Sequence, residues 1–386
     1  MPRLKIAQVA TADISIAVLL LDHIKALRAD GHEVVAVCAP GPWLEKVRAA
    51  GVRVETIGMA RELSPLRDLQ SLLELRRLFS REQFDVVHTH TPKAGLLGPL
   101  AAQWAGVPWV VHTIHGLLFH DRMPRWKRGM YWLPEYFTAG FSDQLLSQSR
   151  EDIEVATTTG ICRRDKIRYI GNGVDVLHFS PSSEHRRHRP EPFKPTDFVV
   201  GSVGRLVYDK GFAELFEAAE QLTRAHSDMR FVVVGPRDHE QNDAIPEETL
   251  ERLTRSGAVT FTGWAEDMWP WYSAMDLLVL PSYREGIPRA CMEAAAMGLP
   301  IVATDIRGCR EVVKHGDTGL LVPVRNANAL ASAIGTMYAD REMRKRMGEN
   351  GRRHIVENFN QQQVLDRLCA MYREFQPQVA AAAVRA

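Results

Sequence analysis

Short apolar runs alternate along the chain with longer stretches in which apolar residues recur at helical spacing. In the first half the runs lie at residues 5–10, 33–38, 52–57, 85–88, 109–114 and 143–147, and helical stretches at 17–29, 66–80 and 95–105 separate them. Most of the runs hold apolar, often β-branched residues on consecutive positions, as in Val34-Val35-Ala36-Val37, rather than alternating with polar residues. Strands buried on both faces read this way, so the pattern predicts a parallel sheet covered by helices. Ala29-Asp30-Gly31-His32 places a glycine where a helix needs a left-handed cap.

The rhythm breaks at residues 181–197, where a polar, basic, proline-rich segment reads as a linker. It resumes with strand-like runs at 197–203, 229–235, 258–263, 276–281, 300–304 and 319–322. The expected organisation is a first doubly wound domain over 1–180, a linker over 181–195 and a second over 196–358. A C-terminal helix and tail over 359–386 would cross back to the N-terminal domain. The fold class is α/β: two Rossmann-like, doubly wound parallel-sheet domains facing a cleft. Open sheets of this kind bind ligands at the carboxyl ends of their strands.

Composition narrows the possibilities. A length of 386 residues exceeds one ordinary domain, and 45% hydrophobic with 25% charged residues is the balance of a soluble globular chain. A net charge of +1 lacks the basic field of a nucleic-acid binder. Five scattered cysteines without a C-x-x-C pair fit a reducing compartment, so a cytoplasmic location is expected. His88 and His90 form an H-x-H with no further ligand at metal spacing and read as a polar strand end. Near the N-terminus, Gln8, Thr11, Asp13 and Ser15 interrupt the apolar residues, which reads as strand, loop and helix rather than a signal peptide. No apolar run approaches the ~20 residues of a membrane span.

The richest stretch runs from Pro281 to Pro300. A strand ends at Pro281, Glu285 and Gly286 follow in a loop, Ile287 precedes Pro288, and Pro288 suits the first helical position because it needs no N–H donor there. Gly298 and Pro300 end the helix. Glu285 stands beside a helix N-terminus, where backbone N–H groups bind anions or sugar hydroxyls. Glu293 lies within the helix among Ala290, Ala294 and Met297, and a carboxylate in such close packing needs a polar partner, for which a sugar or ribose diol is a candidate.

The frame E-G-x-P-x-x-x-x-E-A-x-A-x-G-x-P, with Glu285 and Glu293 eight apart, resembles the E-x7-E motif of retaining glycosyltransferases. The match is to glycosyltransferase family 4, a GT-B family of the bacterial polysaccharide and cell-surface type, and extends over nearly the whole chain. Gly204-Arg205 with Lys210-Gly211 resembles the family's G-R-x-x-x-x-K-G segment. The resemblance implies that Arg205 and Lys210 bring two positive charges to a donor diphosphate. No D-x-D carboxylate pair is present to hold a metal, so no metal or other cofactor is expected. Gly235 and Gly263 follow strands where the family seats the nucleotide base. His115, ending Val110-Val111-His112-Thr113-Ile114-His115, is similar to the family's histidine that reaches the donor sugar across the cleft; His112 reads as structural. Asn172-Gly173-Val174-Asp175 resembles a segment that closes the N-terminal domain, and no chemistry is assigned to it.

One departure concerns the loop after the first strand, Thr11-Ala12-Asp13-Ile14-Ser15, which lacks the family's glycines. Asp13 either bonds an acceptor hydroxyl or, with Ser15, caps the next helix. The resemblance implies a retaining transfer of a hexose-type sugar from a nucleotide-sugar, a UDP-sugar being favoured, to a glycan or lipid-linked acceptor in cell-surface or exopolysaccharide assembly. In that scheme Glu285, His115, Arg205 and Lys210 carry the chemistry, while Glu293, Gly286, Ile287, Pro288, Gly235 and Gly263 bind the donor. The cation- and aromatic-rich stretch from Arg122 to Phe137 resembles an interfacial helix and is equally an amphipathic helix at the cleft mouth, so contact with the inner membrane surface is one expectation. A 2-epimerase-like sugar-nucleotide isomerase of the same architecture, or a non-catalytic sugar-nucleotide-binding protein, are the rival readings.

Overall fold

The computed structural model describes residues 3–60, 64–120, 123–181, 189–237 and 243–383. The chain divides into two compact units: Met1–Gly171 together with Gln363–Ala386, and Asn172–Gln362. Each holds one parallel sheet among its described residues.

The first unit contains β1 (Lys5–Val9), β2 (Glu33–Cys38), β3 (Arg53–Thr56), β4 (Val86–Thr89), β5 (Trp109–Ile114), β6 (Gln144–Ser147) and β7 (Ile167–Tyr169), in the order β3-β2-β1-β4-β5-β6-β7. The second contains β8 (Phe198–Val203), β9 (Met229–Val234), β10 (Val259–Gly263), β11 (Leu277–Leu280), β12 (Ile301–Thr304) and β13 (Gly319–Val322), in the order β10-β9-β8-β11-β12-β13. In each sheet the order reverses once, between β1 and β4 and between β8 and β11. The chain leaves these neighbouring strands in opposite directions, which opens a crevice at their carboxyl ends.

The continuous apolar runs became strands because both faces are covered. Val35 and Val37 of β2 pack on one side with Leu75 and Phe79, while Val34 and Ala36 pack on the other with Leu20 and Ile24. β7 carries too short and too polar a run, Ile167-Arg168-Tyr169, to have been legible. The helix expected over 17–29 is broken into Asp13–Ser15, a π-helical turn Ile16–Leu20 and Leu21–Ala29. Gly31 takes φ +96°, the left-handed conformation a cap requires.

The dividing points fall at Gly171/Asn172 and Gln362/Gln363, not at the compositional break near 181. The Val174 N–H donates to Phe359 O at 2.9 Å and Gln361 N–H donates to Val174 O at 3.0 Å, so Asn172-Gly173-Val174-Asp175 belongs with the second unit. Residues 182–188 of the expected linker lie outside the described residues. The segment beyond them is packed rather than extended: Phe193 is buried against Val199 and Tyr272, and Arg189 pairs with Asp276 at 2.8 Å. The final helix, Gln361–Ala383, buries Val364, Leu368, Tyr372, Phe375 and Val379 in the core of the first unit. That spacing is one apolar helical face.

Candidate active site

In the second unit the crevice between β8 and β11 is lined by two loops, 204–211 and 281–288. Backbone crowding makes glycine obligatory at three positions in or against these loops. A Cβ on Gly211, which has φ +70°, would stand 2.0 Å from Pro281 O, and one on Gly308 would stand 1.3 Å from Gly286 O. Gly235 likewise admits the carbonyl of Gly204, where a Cβ would meet it at 2.0 Å. These residues hold the loops around Arg205, Lys210 and Glu285 at backbone contact distance.

Lys210 Nζ donates to Glu285 Oε1 at 2.6 Å, and the Ser282 hydroxyl donates to the same oxygen at 2.8 Å. Ser282 is fully buried, and its own carbonyl accepts from Thr304 Oγ1 at 2.5 Å. The carboxylate is thus fixed from two sides by a charge-assisted bond and a locked hydroxyl. Arg205 is exposed on the loop that follows β8. Buried Cys291 and Cys309 lie near this pair, and burial pushes both thiols up, which keeps them protonated and inert.

Glu293 sits on the helix Arg289–Ala296 and is only 6% exposed. Its partners come from the protein: Tyr272 OH donates to Oε2 at 2.9 Å and Arg289 Nε donates to Oε1 at 2.6 Å. A carboxylate in this packing does need polar partners, but a ligand diol is not required to supply them. Burial, then the Glu293 charge, hold the Tyr272 phenol well above its ordinary range, so it remains a donor. Tyr272, contributed by the short helix Trp269–Ala274, carries no motif and was not legible in the sequence. Pro288 stands at the N-cap, one residue outside the helix, instead of at its first position. Ile287 is buried in the apolar core, which leaves its backbone as the part able to meet a ligand. Gly263 ends β10 at φ +72°, and its carbonyl accepts from Gly235 N–H at 2.9 Å.

In the first unit the strand ends carry neutral polar groups. His115 Nε2 lies 3.0 Å from His90 Nδ1, and His90 Nε2 lies 2.6 Å from Gln8 Oε1. His88 and His90 stack with centroids 4.2 Å apart at the end of β4, the polar strand end expected, and both are members of this array. Burial lowers His115 to about 4, with His23 adding to the effect and a hydrogen bond with Gln148 opposing it. His112 bonds Thr89 Oγ1 at 2.9 Å beneath Gly95, where a Cβ would meet its ring at 2.4 Å; it is a packing residue.

The glycine-free loop is braced by side chains. Thr11 N–H donates to Thr91 Oγ1 at 3.0 Å, and the two hydroxyls share a further bond at 2.8 Å. Thr91 is held at φ +57°, a conformation costing a β-branched residue roughly 1–3 kcal/mol. Asp13 is buried and accepts from Trp43 N–H at 2.9 Å, while the helix N-cap at Ala12 has no side-chain bond. The carboxylate therefore fastens the 41–43 loop and does not cap the helix.

Two doubly wound parallel-sheet units, each with one switch point, have the GT-B architecture. The solved structure of Anabaena Alr3699/HepE, in complex with UDP and glucose, superposes with a TM-score of 0.82 at 21% identity, covering 96% of this chain and 100% of that one. The model for glycosyl transferases group 1 matches residues 183–354, and that for a glycosyl transferase 4-like domain matches residues 16–173. The chain belongs to the group 1 glycosyltransferases. It is 31% identical over 81% of its length to an Escherichia coli UDP-Gal:alpha-D-GlcNAc-diphosphoundecaprenol alpha-1,3-galactosyltransferase, 81% of which is covered. It is 28% identical over 96% of its length to the Staphylococcus aureus capsular polysaccharide biosynthesis glycosyltransferase CapM, 97% of which is covered.

Proposed function

We propose that this glycosyltransferase moves a hexose-type sugar from a UDP-sugar to a lipid-linked or glycan acceptor in cell-surface polysaccharide assembly, with retention and without a metal ion. The observation that carries this reading is the Lys210–Glu285 pair, with Arg205 on the same loop as Lys210, at the β8/β11 switch point. Fixed cations there suit a diphosphate, and backbone without side chains lets it approach closely.

In the proposed reaction the bond from the anomeric carbon to the diphosphate oxygen breaks, and the acceptor oxygen bonds that carbon on the same face. The acceptor proton passes to the departing diphosphate. Lys210 and Arg205 stabilise the charge that develops there, with no reorganisation at the moment of reaction. Glu285, held by Lys210 and Ser282, orients sugar hydroxyls; Glu293 keeps the donor-binding helix in register through Tyr272 and contacts the ribose; His115 places the sugar. The relatives support the donor and acceptor classes, since the Escherichia coli protein is a UDP-Gal:alpha-D-GlcNAc-diphosphoundecaprenol alpha-1,3-galactosyltransferase.

A cytoplasmic location at the inner membrane face accords with such an acceptor. No helix among the described residues is long and apolar enough to cross a membrane. The helix Arg125–Phe141 exposes Trp126 (70%), Met130, Leu133, Tyr136 and Phe137 alongside Arg125, Lys127 and Arg128, a mixture suited to an anionic lipid surface; Arg122 lies outside the described residues. Absence of flotation with anionic vesicles at low salt would remove the membrane part of the proposal.

The deciding experiment measures nucleoside diphosphate released from UDP-, GDP- and ADP-sugars in EDTA, with and without undecaprenyl-diphosphate sugars. Selective UDP release that rises with acceptor, with the product retaining its anomeric configuration, is expected. Release that needs added Mg²⁺ or Mn²⁺ defeats the metal-free scheme, and conversion of the donor to an epimer without acceptor makes the chain an isomerase.

A further inference from the structure

Five hydrogen bonds in the first unit form one continuous chain. His115 Nε2 meets His90 Nδ1 at 3.0 Å, and His90 Nε2 meets Gln8 Oε1 at 2.6 Å. Gln8 Nε2 then donates to Tyr372 OH at 3.1 Å, that hydroxyl meets His88 Nδ1 at 2.8 Å, and His88 Nε2 meets Thr113 Oγ1 at 2.7 Å. Gln8, His88, His90, Thr113 and Tyr372 are all buried.

The direction of every bond follows from the central amide. Its oxygen only accepts, so His90 Nε2 carries a proton. A neutral imidazole has one N–H, so His90 Nδ1 is an acceptor and His115 Nε2 must donate to it. His115 Nδ1 is then the acceptor of that ring. On the other side the amide nitrogen only donates, so Tyr372 oxygen accepts and sends its own proton to His88 Nδ1, which leaves His88 Nε2–H for Thr113. Burial lowers His88 and His90 well below the ordinary imidazole range, which keeps both neutral. Bonds aligned head to tail in a low-dielectric interior polarise one another. Turning the Gln8 amide over would reverse all five.

An apolar core would hold these strands at less desolvation cost than a row of buried polar rings. What such a row adds is a defined tautomer at its one part-exposed end, His115. We propose that Gln8, His90 and Tyr372 are positioning residues that hold His115 as the neutral Nε2–H tautomer, so that Nδ1 is the ring's acceptor and takes a hydrogen bond from a ligand hydroxyl in competition with the Gln148 side chain, which also bonds His115. The functional half of this inference rests on the proposed role of His115 toward the sugar; the tautomer itself does not. Tyr372, on the last helix, makes this a site shared by residues 364 positions apart in sequence.

The test is long-range 1H–15N correlation on the full chain labelled at histidine, with His115→Gln used only to assign the signal. In the native protein His115 should show a pyrrole-type Nε2 and a pyridine-type Nδ1. Gln8→Leu should average the two signals and lower kcat on UDP-glucose or UDP-galactose by about 10- to 100-fold, the range lost when the partner that orients a histidine is removed, with KM nearly unchanged. Tyr372→Phe removes a single oxygen and should move both readouts in the same direction by less; it carries the test if Gln8→Leu does not fold. Mixed tautomers or an Nδ1–H form in the native chain would overturn the proposal, as would unchanged spectra and kinetics in both variants. A single Nε2–H tautomer with no turnover of any sugar nucleotide would uphold the array and sink the proposed function instead.

Discussion

The two units share a topology but fill their switch points with opposite chemistry. At β8/β11 the groups are charged and paired, with Lys210 on Glu285 and Arg289 on Glu293. At β1/β4 they are mostly neutral, namely Gln8, three imidazoles, threonine hydroxyls and a tyrosine, and the one nearby carboxylate described above, Asp13, is engaged by Trp43 N–H. The same backbone crevice therefore suits a polyanion in one unit and hydroxyl-bearing groups in the other. The fold supplies the place, and a handful of side chains decides what is bound there.

The largest expected effect comes from erasing the charge on one side of this contrast. Lys210→Met leaves Glu285 without its cation and, in the proposed reaction, the diphosphate without a stabilising charge. Turnover of UDP-glucose or UDP-galactose should fall about 10²- to 10³-fold, the loss typical of one preorganised donor. A loss of less than threefold would mean that the cluster does not face the reaction. Gly308→Ala tests geometry with the charges left in place. A methyl 1.3 Å from Gly286 O must displace the loop that carries Glu285. A displacement near 1 Å can cost about 100-fold in rate, measurable as kcat at saturating donor.

Tyr272→Phe probes the second ion pair. It strips a buried carboxylate of one donor, and urea unfolding should show a loss of about 1–3 kcal/mol. Normal stability with a raised donor KM would instead place the phenol on the ligand.

The neutral unit gives the smallest effect, and it appears against pH. Burial depresses His112 to about 3 and His115 to about 4 from an ordinary 6.5. An unfolded chain therefore takes up protons at these residues first as the pH falls. Their contribution is fully present above 6.5 and drains away toward 4, so the urea midpoint should decline across that window. Glu135, raised to about 7 by burial and by Asp152, has the opposite sign and weakens the fold as pH rises from 4.5. Glu135→Gln should accordingly raise the midpoint at pH 8 and leave it unchanged at pH 4.5. A flat profile below pH 6.5 in Glu135→Gln, where the opposing carboxyl is gone, would mean that the imidazoles are hydrated.

What the sequence by itself determined was carried by local pattern. Eleven of the strand runs follow from closely spaced apolar residues, because a buried strand admits little else, and the twelfth, β3, is an edge strand whose apolar and polar residues alternate. The Gly31 cap, the loop glycines 204, 211, 235 and 286, and the frame of Glu285 and Glu293 were legible because turn geometry and motif spacing are properties of neighbouring residues. Only the tertiary structure decided what those residues touch. Tyr272 reaches Glu293, Ser282 locks Glu285, Asp13 fastens Trp43, and Tyr372 joins Gln8 and His88 from the far end of the chain. A side-chain partnership depends on which strands become neighbours at the point where the sheet order reverses. Nothing in the local spacing of a tyrosine or an H-x-H records that, because the hydrogen bond exists only once the helix Gln361–Ala383 has returned to the first sheet.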